Sequence, residues 1–156
     1  MGNIFSASEV VEMGIQIEKN GLDFYNVAKG MAKENKVKEL FKYLASQEEE
    51  HIKTFEGILS EVKKYEPFEA YPGEYFAYIK TLSEEYVFTK LKAGLKAAKD
   101  IKNDKEAVNL AIGFEKDSIL FYYAMKNVVL EGEHNTIGRL IEQEQEHLKK
   151  LSELKK

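Results

Sequence analysis

Two Glu-x-x-His motifs, Glu48 to His51 and Glu144 to His147, are the residues of this sequence best suited to chemistry. Residues three apart on a helix project from one face, so the carboxylate and the imidazole of each motif can reach a common centre. A single motif of this kind means little, because helices rich in Glu and Lys produce it by chance. Two copies, at corresponding places in the two halves of the chain, predict a metal site.

The motifs belong to a repeated helical hairpin. Residues 17–25 read IEKNGLDFY and residues 114–122 read FEKDSILFY, while residues 47–53 read QEEEHIK and residues 143–149 read QEQEHLK. The repeat therefore preserves one glutamate on the first helix of each hairpin and the Glu-x-x-His motif on the second. The predicted ligands are Glu18, Glu48, His51, Glu115, Glu144 and His147.

Each of the four glutamates lies in the middle of an apolar stripe at helical spacing. Around Glu18, for example, Ile15, Leu22 and Val11 lie three, four and seven residues away. A carboxylate buried alone costs several kcal/mol or takes up a proton instead, and these stripes contain no Lys or Arg to pair with it. A pair of divalent or trivalent cations would satisfy all four carboxylates. A helical bundle with solvated acidic faces, or a metal site that stays empty in the cell, is the alternative.

Tyr25 and Tyr122 follow the first-helix glutamates by seven residues and lie on the same face. We expect them to donate hydrogen bonds to the ligands, with simple core packing as the alternative. Gln47 and Gln143 also coincide in the repeat. They could orient groups behind the ligands, but hydrogen bonding at the surface is an equally good interpretation.

Helical periodicity predicts four long segments, at about 8–31, about 35–64, from just after 104 to about 131, and about 135 to the end. Ser6 or Ser8 would cap the first helix and the pair Asn103-Asp104 the third, and Gly132 would end the third as its C′ residue. Both prolines fall between the second and third helices, in a connection at about 65–103 that we expect to contain short helices. The predicted fold is an all-α antiparallel four-helix bundle with one long crossover, a single domain over residues 1–156.

The amino-acid composition limits the kinds of functional site and partner that the chain can have. The 156-residue chain has no cysteine, which excludes disulfides, thiolate catalysis and cysteine-held clusters within it. Ligands from Glu and His suit iron, manganese or zinc. The net charge of −4 argues against a basic surface that binds nucleic acid. The sequence has no apolar run long enough for a membrane span. Its N-terminus does not have the pattern of a secretion signal. We expect a cytoplasmic protein that assembles as a homodimer, without a nucleic-acid or membrane partner.

At the repeated phrases, the chain resembles the rubrerythrin branch of the ferritin-like di-iron carboxylate superfamily. The phrases IEKNGLDFY, QEEEHIKTF, FEKDSILFY and EQEQEHLKKL carry this resemblance over nearly the whole chain. It implies a ferritin-like bundle with two iron ions, manganese or zinc being possible. Glu18 and Glu115 would then be terminal ligands, Glu48 and Glu144 would bridge, and each histidine would bind one metal.

Two departures from that family affect the expected activity. Rubrerythrins usually carry a rubredoxin domain with four cysteines, which this chain lacks. They also have a further glutamate one turn beyond the ligand on the third helix, where this chain has Ser118. The remaining set is closer to that of the ferroxidase centre of bacterioferritin.

The resemblance implies an oxidoreductase of oxidative-stress defence that reduces hydrogen peroxide or dioxygen. Because the rubredoxin domain is missing, the electrons would come from an external donor such as a rubredoxin-type protein. A ferroxidase or another iron-handling or iron-sensing protein is the alternative function. A non-catalytic bundle with a vestigial site is the third.

Overall fold

The structure is a computed structural model that describes residues 7–65, 77–78, 81, 93–127, 129 and 131–155. Five α-helices account for most of these residues. The helices are α1 (Ala7–Met31), α2 (Asn35–Tyr65), α3 (Ala93–Lys99), α4 (Asp104–Lys126) and α5 (His134–Glu153). Short links join α1 to α2 and α4 to α5, so each pair forms an antiparallel hairpin. The two hairpins pack together as the predicted four-helix bundle.

The core of the bundle is rich in aromatic rings, which lie on either side of the predicted metal ligands. Phe24, Phe41 and Phe55 are fully buried, and Phe24 and Phe41 meet edge to face with centroids 6.3 Å apart. Burial of such rings is the main apolar contribution to stability. The same rings keep water away from the polar residues between them.

The short helix α3 lies in the predicted crossover and packs against α1. Its Gly94 amide donates a hydrogen bond to the buried Asn20 side chain on α1, at 3.3 Å. A Cβ atom at Gly94 would overlap the Asn20 backbone carbonyl, so only glycine allows this close approach. The earlier part of the crossover, including the predicted helix in GEYFAYIKTL, lies largely outside the described residues.

One predicted helix end agrees with the structure and two differ from it. Asn103 caps α4 and accepts a hydrogen bond from the Glu106 amide at 2.8 Å. However, α4 ends at Lys126, and Gly132 lies in a short 3₁₀ helix at Glu131–Glu133 instead of ending α4. Ser8 lies inside α1 and is not its cap, because the helix already begins at Ala7; Ser6 is outside the described residues. Among the described residues, no helix combines the length and apolar character that crossing a bilayer requires.

Candidate metal centre

Four helices bring the six predicted ligands to one place at the centre of the bundle. Glu18 comes from α1, Glu115 from α4, and the two Glu-x-x-His motifs come from α2 and α5. All four glutamates are completely buried, and the two histidines are at most 2% exposed. The apolar stripes therefore place the carboxylates in the core, as the sequence predicted.

The six residues fall into two overlapping groups, each able to surround one cation. Ligand atoms of the first group lie within 4.8 Å of one another, and so do those of the second. The first group is Glu18, Glu48, His51 and Glu144, and the second is Glu48, Glu115, Glu144 and His147. Glu48 and Glu144 belong to both groups, which is the position of a carboxylate that bridges two metals. Glu18 and Glu115 each belong to one group, as expected for terminal ligands.

The hydrogen bonding of the carboxylates agrees with this division. Neither oxygen of Glu48 or of Glu144 has a hydrogen-bond donor from outside the six candidate ligands, whereas Glu18 and Glu115 each leave only Oε2 without one. The Nδ1 atoms of both histidines likewise face only carboxylates of the cluster. Unpaired buried polar atoms are rare, since each costs about 1–3 kcal/mol. Two oxygens from each bridging carboxylate and one from each terminal carboxylate are what a pair of cations needs, so the donor set fits a di-metal site.

The two imidazoles lie side by side with their Nδ1 atoms turned toward the carboxylates. His51 Nδ1 lies 2.8 Å from Glu144 Oε1 and 3.5 Å from Glu18 Oε2. His147 Nδ1 lies 3.4 Å from Glu144 Oε2 and 3.8 Å from Glu115 Oε2. The rings are stacked, with centroids 5.7 Å apart. Each histidine therefore has one ring nitrogen in its own group of donors.

Tyr25 and Tyr122 connect the hairpins through crossed hydrogen bonds. The hydroxyl of Tyr25 on α1 donates to Glu115 Oε1 on α4 at 2.6 Å, and the hydroxyl of Tyr122 on α4 donates to Glu18 Oε1 on α1. Both tyrosines are fully buried. Each bond occupies one carboxylate oxygen and leaves the other facing the centre. The structure therefore brings both predicted tyrosines to the ligands as hydrogen-bond donors.

Gln143 occupies the outer edge of His51. His51 Nε2 and Gln143 Oε1 lie 2.8 Å apart. An amide oxygen only accepts, so this contact requires a proton on Nε2, and when His51 is neutral its lone pair is on Nδ1, facing the carboxylates. Of the two interpretations open from the sequence, the orienting role fits Gln143. The repeat was the signal for it.

Electrostatics in the metal-free cluster favour bound protons. Burial, reinforced by the charge of Glu18, raises the pKa of Glu48 well above its usual 4.5, and burial with the charge of Glu144 does the same to the pKa of Glu115. Burial alone would lower the pKa of His51, but the charges of Glu18 and Glu144 raise it to about 11. For Glu144, burial is opposed by close polar contacts with Glu115 and the histidines, which lower its pKa. Protons are thus the competitors of metal at this site.

Small residues at two repeat-related positions shape the space beside the ligands. A Cβ atom at Gly21 would lie 3.2 Å from Glu48 Oε2 and collide with the ring of Phe114. At the equivalent position in the other hairpin, the buried Ser118 hydroxyl donates to the Phe114 carbonyl at 2.9 Å. Ser118 therefore bonds within its own helix, and the set of charged or imidazole groups at the centre remains six.

One contact was not predicted from the sequence. The ring of Tyr43 on α2 packs edge to face against His147, with centroids 6.1 Å apart. Tyr43 is 42% exposed, unlike the ligand it touches. The repeat gave no signal for it, because the equivalent residue in the second hairpin is Arg139.

A known protein family matches nearly the whole chain. The rubrerythrin family model matches residues 9–155, a range that contains all six predicted ligands. The chain belongs to the rubrerythrin family. The family resemblance recognised in the sequence is thereby confirmed. These 156 residues contain no cysteine, so no rubredoxin-type iron site lies within them.

A solved structure supports the ferritin-like architecture of this rubrerythrin-family chain. It is described as a ferritin-like diiron-carboxylate protein from Thermotoga maritima, and it is 26% identical to this chain. The match has a TM-score of 0.73 and covers 99% of this chain and 97% of that chain. The search of curated proteins returned no match.

Proposed function

We propose that this rubrerythrin-family protein is a cytoplasmic di-iron oxidoreductase that reduces hydrogen peroxide or dioxygen with electrons from a separate donor. The observation that supports it most is the division of unpaired atoms, with two oxygens on each bridging carboxylate and one on each terminal carboxylate. Iron or manganese would supply the redox chemistry when bound, whereas zinc has none. With Glu and His as the donors, the site favours none of these metals strongly.

The residues of the chain contribute orientation and exclusion of water. Tyr25 and Tyr122 fix Glu115 and Glu18 so that one oxygen of each points inward. Burial and the neighbouring carboxylates raise the pKa of both phenols well above 10.0, so each keeps its proton on the hydroxyl and remains a donor. The rings of Phe41, Phe55 and Phe114 are nearly or fully buried around the centre. A site closed in this way admits a molecule as small as peroxide more readily than a larger organic substrate.

Peroxide consumption by protein loaded with iron is the direct test. We expect iron-loaded protein supplied with reduced rubredoxin to consume hydrogen peroxide at a steady rate. Protein loaded with zinc and the Glu18→Ala variant should both be inactive. Glu50→Ala is the matched control, because Glu50 is exposed and precedes His51 by one residue. Equal rates for wild type and Glu18→Ala, with several electron donors tried, would reject the proposal.

Iron oxidation is the second candidate, favoured by the hydrogen bond that turns Ser118 away from the centre and leaves a ligand set of four Glu and two His. In that case Fe²⁺ is the substrate, and dioxygen should oxidise it in many turnovers without any added reductant, each Fe²⁺ giving one electron to dioxygen. Storage in a cage would further need a large symmetric assembly. A dimer on a sizing column, which is the assembly we propose, would exclude cage storage.

A further inference from the structure

Both ligand histidines contact side chains that reach the solvent, on α5 and on α2. His51 meets Gln143, which is exposed, and His147 meets Tyr43, which is 42% exposed. The histidines themselves are at most 2% exposed. These two contacts join the candidate ligands directly to exposed side chains of the described chain.

The two edges differ chemically. The contact at His51 is a hydrogen bond to an amide, which has no extended π system. The contact at His147 is a ring against a ring, and one of these rings reaches the solvent. The Lys150 ammonium lies 5.3 Å from the centroid of the Tyr43 ring, in a cation–π arrangement that helps to fix the ring in place. Tyr43 thus joins the surface to a ligand through two aromatic groups in contact.

We infer that Tyr43 is the residue through which electrons from an external donor enter the metal centre. This inference rests on the proposed function, which requires electrons from outside a buried site. Electronic coupling falls exponentially with distance and falls faster through gaps than through bonded and aromatic groups. The path through Tyr43 and His147 crosses a single contact between surface and ligand.

The redox balance of the step is that of peroxide reduction. Two molecules of a one-electron carrier, such as reduced rubredoxin, are oxidised in successive encounters and together deliver two electrons. The O–O bond of one hydrogen peroxide breaks, two protons are taken up from solvent, and two water molecules form. Tyr43 mediates the transfer without forming or breaking a bond, so its hydroxyl is not required.

The inference concerns one half of the repeat. The residue equivalent to Tyr43 in the second hairpin is Arg139, which lines a surface cavity with Lys126 and Glu142. Arginine provides no aromatic ring. We therefore expect electron entry at His147 and not at His51.

Reduction of the oxidised, iron-loaded protein should be followed by rapid mixing without oxygen, separately from peroxide turnover. Reduced rubredoxin and, in parallel, reduced methyl viologen serve as one-electron donors. We expect Tyr43→Leu to lower the limiting rate at saturating donor by about tenfold or more, while the donor concentration at half-maximal rate changes little. Tyr43→Phe should keep the wild-type rate, because it keeps the ring. Tyr123→Leu is the matched control, since Tyr123 is 50% exposed on α4.

Iron content, the optical spectrum of the oxidised protein and its reduction potential provide the readouts that do not depend on activity. All three should match wild type in Tyr43→Leu if the residue conducts electrons. A changed spectrum or potential would assign Tyr43 to positioning His147 and would overturn the inference. Equal limiting rates for wild type and Tyr43→Leu with both donors would overturn it too. If wild type consumes no peroxide but its reduction still depends on Tyr43, the proposed function is rejected and the inference about Tyr43 is kept.

Discussion

At the scale of single residues, the centre depends on which atoms are already hydrogen-bonded. Tyr25 takes one oxygen of Glu115, and Tyr122 takes one oxygen of Glu18. Glu48 and Glu144 have no phenol donor, and Glu144 Oε1 instead lies 2.8 Å from His51 Nδ1 inside the cluster. The neighbouring phenol is therefore what would distinguish a terminal glutamate from a bridging one.

Tyr25→Phe tests this role. We expect the variant to fold and to bind metal about tenfold or more weakly, since groups that orient ligands typically contribute that much to affinity. Competition with a chelator measures the change. Tyr123→Phe, in an exposed tyrosine of α4, should bind as wild type does. Unchanged affinity in Tyr25→Phe would show that Tyr25 only packs.

Proton release should accompany metal binding. The raised pKa of Glu48 and of Glu115, and the pKa of about 11 at His51, mean that metal displaces protons at neutral pH. Affinity should therefore rise with pH, and calorimetry in buffers of different ionisation enthalpy should detect the protons. A binding heat that does not depend on the buffer would contradict this.

The same shifts set the sign of the pH dependence of stability. A carboxyl with a raised pKa contributes stability that is complete below its unfolded value, near 4.5, and is lost as pH rises through its folded value. The metal-free protein should thus lose stability above about pH 4.5, and the protonated His51 adds a loss above about 6.5. The melting temperature with and without metal should diverge as pH rises.

At the scale of helices, close approach to the centre requires small residues at particular points. Gly21 lets Phe114 of α4 lie over α1 beside Glu48. A glycine inside a helix costs about 1 kcal/mol relative to alanine. Glycine is still the better residue at position 21, because a methyl group there would displace both a core ring and a candidate ligand.

Substitution of two helical glycines should give opposite results. Gly21→Ala should lower the free energy of unfolding by about 1–3 kcal/mol through overpacking, and should also weaken metal binding. Gly113→Ala should raise it by up to about 1 kcal/mol, because nothing lies within 4 Å of a Cβ atom there. Denaturant unfolding of both variants measures these changes. Stabilisation by Gly21→Ala would mean that Phe114 moves aside freely.

At the scale of the whole molecule, metal bound at the centre would join the two hairpins across a core rich in carboxylates. The metal-free bundle holds four buried carboxylates, with little but the two histidines and two phenols to compensate them. Metal that binds only the folded state adds about 2.7 kcal/mol at a concentration one hundred times the dissociation constant. We expect Fe²⁺ or Zn²⁺ to raise the melting temperature clearly and a chelator to reverse the rise. Equal melting with metal and chelator would favour a vestigial site.

Glu48→Gln provides the matched variant. Gln cannot ionise, so the metal-free variant should lose less stability than wild type as pH rises above about 4.5. The variant should gain little from added metal, because a bridging oxygen is lost. A metal-dependent rise equal to that of wild type would show that Glu48 does not bridge. Glu50→Gln, at an exposed position, controls for the charge alone.

The sequence by itself determined the helices, their pairing and the six candidate ligands. Periodicity marked the buried faces, and the repeat separated meaningful Glu-x-x-His motifs from accidental ones. Glu48, for instance, is followed by Glu49 and Glu50, and only its place in an apolar stripe and the repeat distinguishes it. The local end signal was correct at Asn103, where a side chain accepts from a nearby amide, and wrong at Gly132, because α4 ends at Lys126 and Gly132 lies in a 3₁₀ helix.

The tertiary structure alone decided which partners lie across the helices. The crossing of Tyr25 to Glu115 and of Tyr122 to Glu18 depends on how the two hairpins face each other. The contact of Tyr43 with His147 depends on the spacing of α2 and α5 and has no counterpart in the repeat. A sequence pattern reports which face of a helix is buried, because periodicity is local. Which atom meets that face is set by the packing of helices far apart in the chain.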